Sequence, residues 1–269
     1  MDLFRYRVTD GTGFTLANHD PSDRSGYTGS KSEGKAEVAR QSLVLEELQE
    51  RLYAEGRHRV LIVLQAMDTA GKDSTIRHVF RSVDPIGVTV TPFRKPTEED
   101  LAHDYLWRVH PHVPGDGEIS IFNRSHYEDV LVVRVRSLAP EERWRRRYDH
   151  IKAFEQLLAD EGTTVVKVFL HLSPEEQAER LQARLDDPTK RWKFRKGDLA
   201  ERSLWADYMT AYEEAIGRTA TPDAPWYVVP ADRKWYRNLV VGRILIETLE
   251  GLGMAYPEPE EDLDGIVVV

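Results

Sequence analysis

The residues best suited to chemistry sit together in QAMDTAGKDST, positions 65–75. A loop that wraps phosphate needs small residues, so that backbone N–H groups can turn inward, a Lys to meet the charge, and a helix N-terminus behind it. Ala70, Gly71 and Lys72 meet these needs, and Asp73, Ser74 and Thr75 follow where the helix should begin. Measured against G-x-x-x-x-G-K-[ST], Ala66 replaces the first Gly and Asp73 separates the Lys from the hydroxyls. The alternative is an ordinary strand-to-helix turn, and the strand-loop-helix context favours the phosphate loop over it. Asp68 lies inside the loop, where an anion beside phosphate is unfavourable unless a cation intervenes. It reads as a Mg2+ ligand, with a helix cap as the other reading.

A second cluster is IFNRSHYED at 121–129. Asn123 ends a strand where phosphoryl-transfer sites commonly hold an acid for the metal, and it can offer a carbonyl oxygen but no charge. Arg124 is next, and Glu128 can hold a metal-bound water or orient an acceptor. Between Arg180 and Arg202 stand eight bases against four acids, interleaved with Trp192 and Phe194. A segment of that kind between two helices can close over phosphates as a lid and neutralise a transferring phosphoryl group; a solvated charged face is the plainer reading. The histidines 103, 110, 112 and 126 match no common zinc spacing. RWRRRYDH at 143–150 reads as a solvated helix face, and Trp205, Tyr208 and Tyr212, at helical spacing, as core.

Loops of this kind need strands that end at them and helices that start from them. RVLIVLQ at 59–65 is a continuous β-branched and apolar run, as expected for a parallel strand buried on both faces. Further strands are expected at 88–93, 118–122, 163–170 and 226–229. Helices are expected at 35–54, from Lys72, in 97–110, at 140–160, at 173–185 with Ser173 as cap and Pro174 first, at 198–217 and at 232–250. This alternation predicts an α/β fold, a parallel sheet with helices on both faces. Residues 1–34 read as an extended or poorly ordered arm, 35–255 as one domain with a lid at about 180–205, and 256–269 as an acidic tail.

The 269 residues, 41% hydrophobic and 31% charged, describe an ordinary globular chain, and Cys 0 excludes disulfides and thiolate metal sites. With no apolar span in view, a cytoplasmic protein without membrane attachment is expected. The net charge of −9 speaks at first against a polyanionic partner. Seven acids and no base follow Arg243, however, which leaves −2 for residues 1–243 and +4 for the segment 180–202. A basic groove is compatible with that distribution, whereas no motif that reads nucleic acid is present.

Five blocks in order carry a family resemblance: LIVLQAMDTAGKDSTI, FRKPTEEDLAHDYLWR, GEISIFNRSHYEDV, DDPTKRWKFRKGDLAERSLWADYMTAYEEAI and TPDAPWYVVPADRKWYRNL. Over residues 35–250 the chain resembles the polyphosphate kinase 2 family, the polyphosphate:nucleotide phosphotransferases. The resemblance implies a P-loop kinase core like that of thymidylate kinase, a helical lid, Mg2+ dependence, and reversible phosphoryl transfer between inorganic polyphosphate and a nucleotide. By position, Asp68 resembles the loop acid that holds Mg2+ and Lys72 the loop Lys on the transferring phosphate. Arg124 resembles the Arg of the second motif, and Arg184, Lys190 and Lys193 match the lid. The segment N-R-S-H-Y-E-D departs from the commoner D-R-S-W-Y at Asn123 and His126, which puts a second carboxylate ligand at 123 in doubt. It resembles the branch that accepts both nucleoside mono- and diphosphates, with Glu128 as its mark, so AMP and ADP are the implied acceptors. Lys31, Lys35, Arg77, Arg81, Arg94 and Lys95 are further candidates for a polyphosphate groove, and a homo-oligomer, dimer or tetramer, is implied. Two other readings stand beside this one: an ATP-dependent nucleoside monophosphate or small-molecule kinase, and a non-catalytic nucleotide or polyphosphate sensor.

Overall fold

The two faces of RVLIVLQ decide the architecture, because Val60, Ile62 and Leu64 enter one apolar core and Leu61 and Val63 enter another. The structure, a computed structural model, describes residues 1–261, 263 and 266–268. In chain order its elements are β1 (Arg7–Val8), α1 (Lys31–Glu55), β2 (Arg59–Gln65), α2 (Lys72–Val79), β3 (Val88–Pro92), α3 (Glu98–Ala102), β4 (Ile119–Asn123), α4 (Val132–Val135), α5 (Glu141–Asp160), β5 (Thr163–His171), α6 (Pro174–Asp186), α7 (Lys196–Arg202), α8 (Trp205–Thr219), β6 (Trp226–Pro230) and α9 (Lys234–Glu250).

The sheet runs β1-β6-β5-β2-β4-β3. All neighbouring strands are parallel except β1, which pairs antiparallel to β6. The chain goes to one side of β2 for β3 and β4 and to the other for β5 and β6, so the strand order reverses at the C-terminal end of β2. A crevice at such a switch point is where open α/β sheets bind ligands. Leu64 of β2 lies opposite Asn123 of β4, and that register brings the 66–71 loop and the 123–129 turn to the same edge.

Helices α1 and α9 cover one face, where Leu45, Leu48 and Leu52 meet Val240, Ile244 and Leu245 over Ile62 and Val168. Helices α5 and α8 cover the other, where Tyr148, Ile151, Tyr212 and Ile216 close over Val63, Phe122 and Phe169. Each such side chain removed from water stabilises the fold by about 1.5–3 kcal/mol. The α/β class, the parallel sheet and the expected core positions Tyr208 and Tyr212 agree with the sequence reading.

Five expectations need correction. The segment ahead of α1 is not loose: Leu3, Tyr6, Val8 and Leu16 are buried, and the Tyr6 hydroxyl meets that of Tyr236 at 2.5 Å. Helix α1 starts four residues earlier than expected, because Ser30 and Glu33 form a reciprocal capping box; it ends as expected at Gly56, with φ of 63°. The helix expected in 97–110 shrinks to α3, which buries nothing. Beyond it the Asp104 carboxylate takes the N–H groups of Leu106 and Trp107 and turns the chain. The helix expected at 198–217 is two, α7 and α8, divided where the Ser203 hydroxyl donates back to the Ala200 carbonyl. In RWRRRYDH only part of the face is solvated: Trp144, Arg147 and Tyr148 are buried, and Arg147 donates to the Asp129 carboxylate at 2.8 Å. The acidic tail expected at 256–269 lies outside the described residues at 262, 264, 265 and 269.

Candidate active site

Strand β2 delivers the chain into Ala66–Gly71 and α2 receives it at Lys72, as the spacing predicted. Gly71 caps α2 with φ of 103°, a left-handed conformation that glycine adopts without steric cost. A Cβ there would also strike the Arg237 guanidinium. The first N–H groups of α2 have no acceptor within the helix, so they are free to bind an anion at the mouth of the loop. The Lys72 ammonium donates to the Ala66 carbonyl at 2.9 Å, across the loop. Burial and the nearby Arg124 push Lys72 down to about 8, against the pull of Asp68, Glu128 and Asp73.

Facing the loop, Arg124 takes φ of 64°, which is strained for a residue with a side chain. Its guanidinium donates to Asp68 Oδ1 at 2.6 Å and to Glu128 Oε2 at 3.2 Å. Glu128 foremost, then Asp68, hold Arg124 above the usual guanidinium range although burial opposes them. Gln65, with its amide oriented to satisfy every polar atom, donates to Glu128 Oε1 and accepts from the Ser125 N–H, both at 3.1 Å. Asn123 donates to Asp73 Oδ1 at 2.5 Å. The structure thus brings Asp68, Lys72, Asp73, Asn123, Arg124 and Glu128 into one half-buried cluster. Tyr212 of α8 sits against it; burial, then Glu128, push its phenol well up.

Below the turn lies a polar network with no exposure. Lys167 of β5 donates to Glu155 Oε2 at 2.6 Å, to the Thr219 carbonyl at 2.7 Å and to the Tyr127 hydroxyl at 3.2 Å. His126 Nε2 and the Tyr127 hydroxyl both meet Glu155 Oε1, at 3.2 and 2.8 Å. His126 is therefore a core residue, anchoring the turn that carries Arg124 and Glu128.

Apart from Arg180, which is buried, the basic segment is mostly exposed and only partly tied down. Lys190 pairs with Asp187 at 2.5 Å, Lys193 lies over the Trp192 ring at 5.1 Å, and Arg184 is half-buried. Helix α7 reaches the loop indirectly: Arg202 donates to Gln177 Oε1 at 3.0 Å, and Gln177 Nε2 donates to the Asp68 carbonyl, also at 3.0 Å. Of the outlying candidates, Lys31 and Lys35 are exposed at the start of α1, where Gly34 packs on Trp235 beside the first turn of α9. Ser74 meets Arg237, and Thr75 turns its hydroxyl to the Gly71 carbonyl. Arg77, Arg81, Arg94 and Lys95 are exposed; Arg81 lies beyond the far end of α2, roughly 13 Å along the axis from Lys72 at the helical rise, and is not brought to the loop.

Sequence reasoning missed Gln177 and Arg237. Arg237 sits inside the TPDAPWYVVPADRKWYRNL block, but its partners in the loop and α2 lie more than 160 positions upstream. As to Mg2+, no three His, Asp or Glu side chains cluster to hold a metal among the described residues. Mg2+ needs no such cage, since it is commonly held by one or two carboxylates together with substrate phosphates and water. Asp68, about one-third exposed at the loop mouth, and the free carbonyl oxygen of Asn123 suit that mode.

Comparison with known proteins gives one family. The model of polyphosphate kinase 2 matches residues 28–255. The chain is 58% identical to the AMP/ADP-polyphosphate phosphotransferase of Meiothermus ruber over 98% of this chain and 99% of that one. It is 47% identical to the ADP-polyphosphate phosphotransferase of Rhodopseudomonas palustris over 80% of this chain and 78% of that one. The solved structure of polyphosphate kinase 2 from Arthrobacter aurescens TC1 superposes with a TM-score of 0.93 at 49% identity, covering 96% of this chain and 92% of that one.

Proposed function

The chain belongs to the polyphosphate kinase 2 family, and from that premise we propose that it transfers the terminal phosphoryl group of inorganic polyphosphate to AMP and to ADP, forming ADP and ATP reversibly. The observation that carries this reading is the convergence of Lys72, Arg124, Asp68 and Glu128 at the switch point of the sheet, in a chain so similar to an AMP/ADP-polyphosphate phosphotransferase.

An acceptor phosphate already presents an anionic oxygen, so the transfer requires positioning and charge neutralisation rather than a strong base. The loop N–H groups and Lys72 bind the donor's terminal phosphoryl group, and Arg124 spans donor and acceptor. Mg2+, held by Asp68 with Asn123 as a neutral neighbour, would neutralise charge on the phosphate oxygens when bound. Arg124 is engaged by Asp68 and Glu128. Bound phosphate would draw the guanidinium from Asp68, leaving that carboxylate able to hold the metal. Glu128 then keeps Arg124 aimed and orients the acceptor. Arg184, Lys190 and Lys193 close over the chain of phosphates and exclude water. Lys and Arg suffice for such a polymer, because no base edge has to be read. We also infer a homo-oligomeric, cytoplasmic enzyme, on family membership and a cysteine-free composition.

The test is to incubate the protein with Mg2+ and either AMP or ADP, with polyphosphate or ATP as the only donor, and to separate the nucleotides. ADP and ATP formed from polyphosphate are expected; transfer from ATP alone would make it an ordinary nucleoside monophosphate kinase. Glu128→Asn should lower kcat/KM for AMP at least ten-fold more than for ADP, and an equal loss on both would remove Glu128 from acceptor choice.

A further inference from the structure

Arg237 of α9 is 1% exposed, yet among the described residues every partner it has is neutral: the Ala70 carbonyl at 2.5 Å, Asn238 Oδ1 at 2.9 Å and Ser74 Oγ at 3.3 Å. A buried charge without a counter-charge is costly unless something else supplies one. A second guanidinium makes matters worse, for Arg180 of α6 donates to the same Ala70 carbonyl and to that of Thr69, both at 3.0 Å. Arg180 also holds the Ala231 and Asp232 carbonyls, at 2.7 and 2.9 Å, and among the described residues has Glu176 at 2.7 Å as its single carboxylate. Burial first, then Arg180, push Arg237 down to about 9, so it remains charged at neutral pH. Two cations thus grip the back of the loop and share one acid.

We propose that Arg237, with Arg180 beside it, is a positioning residue of the phosphate loop whose buried charge is balanced by the phosphoryl chain that the loop binds. Neither guanidinium touches substrate. In a trans peptide the C=O and the following N–H point in opposite directions. Drawing the Ala70 carbonyl backward therefore turns the Gly71 N–H toward the mouth, and only glycine at 71 leaves room for Arg237. The two cations act through oriented peptide dipoles on whatever polyanion occupies the loop. The inference rests on the phosphotransferase reading for the identity of that polyanion.

The experiment measures the rise in unfolding temperature produced by tripolyphosphate alone, together with steady-state kinetics, for the wild-type protein, Arg237→Met, Arg237→Lys and Arg180→Met. Each shift is read against the same variant without ligand, so a lower starting stability does not obscure it. Arg237→Met should lose at least two-thirds of the wild-type shift and raise KM for polyphosphate ten-fold or more, with kcat within about three-fold, and Arg237→Lys should restore part of both. A folded Arg237→Met with wild-type shift and KM would overturn the proposal. If Arg237→Met does not fold, wild-type shifts in both Arg237→Lys and Arg180→Met overturn it, and reduced shifts support it. If tripolyphosphate leaves the wild type unmoved while ATP stabilises it, the polyphosphate reading fails and the same comparison with ATP decides the role of Arg237. A wild type that neither probe stabilises contradicts both.

Discussion

Replacing Lys72 by Ala should lower kcat by about 10^3-fold, the scale on which a preorganised charge at a developing anion acts, while the far-ultraviolet circular dichroism stays unchanged. The ammonium crosses the loop to the Ala66 carbonyl, so its loss costs the fold little more than one hydrogen bond, about 1 kcal/mol. Its contribution to the reaction is larger, because it is buried and lies close to Arg124 at the loop. Near-normal turnover would remove the loop from the mechanism. The same lysine gives a pH signature. With its ionisation lowered to about 8, the charged form dominates below that pH and is lost above it. The pH dependence of kcat/KM reports free-enzyme groups, so kcat/KM for polyphosphate should fall ten-fold per pH unit on the alkaline side of about 8. Lys72→Arg, charged throughout, should lack that limb even if its turnover is low.

Lys167→Met should destabilise the protein by about 3–5 kcal/mol, the cost of leaving a buried carboxylate without its cation. Glu155 shows why the loss is large. Burial works to raise its carboxyl, yet Lys167 foremost and His126 hold it below the ordinary range, so the pair is ionised with no water to replace a missing partner. The double variant Lys167→Met/Glu155→Gln should recover part of the loss, because a neutral amide no longer needs a cation. Urea unfolding of the wild type and the variants measures both quantities. The functional consequence follows from position: Glu155 holds His126 and Tyr127, and these two fix the turn between Arg124 and Glu128. A single-variant loss below 1 kcal/mol would mean that this network is not what keeps the strained turn in place.

These two lysines also mark what a linear reading could and could not find. Lys72 was legible because its meaning is local: an apolar strand, a Gly, a Lys and a helix start fall within a few positions, and backbone geometry supplies the rest. Strand β2 was legible for a similar reason, since a parallel strand buried on both faces reads as a continuous apolar run, and β4 and β5 are mostly apolar too. Lys167 was read simply as part of the strand TTVVKVFL, because its partners Glu155, Tyr127 and Thr219 come from three other elements. Arg237 likewise looked like one more base on a terminal helix. Its meaning lies in a carbonyl 167 positions earlier. The misjudged helices share a different cause. Short polar side chains, Asp104 and Ser203, bond the local backbone and interrupt patterns that periodicity alone would continue. The N-terminal segment was misread because a few apolar residues, Leu3, Tyr6, Val8 and Leu16, are too sparse to show a period and take their order from the body they pack on.

The most direct measurement follows the phosphorus. Unlabelled AMP is incubated with Mg2+ and polyphosphate carrying labelled phosphorus, and the position of label in the nucleotide products is read over time. Successive transfers at one site should place label first at the β-phosphate of ADP and then at both the β- and γ-phosphates of ATP, and Lys72→Ala should abolish both. Unlabelled nucleotide products, or label confined to free phosphate, would contradict phosphoryl transfer from polyphosphate to AMP and ADP.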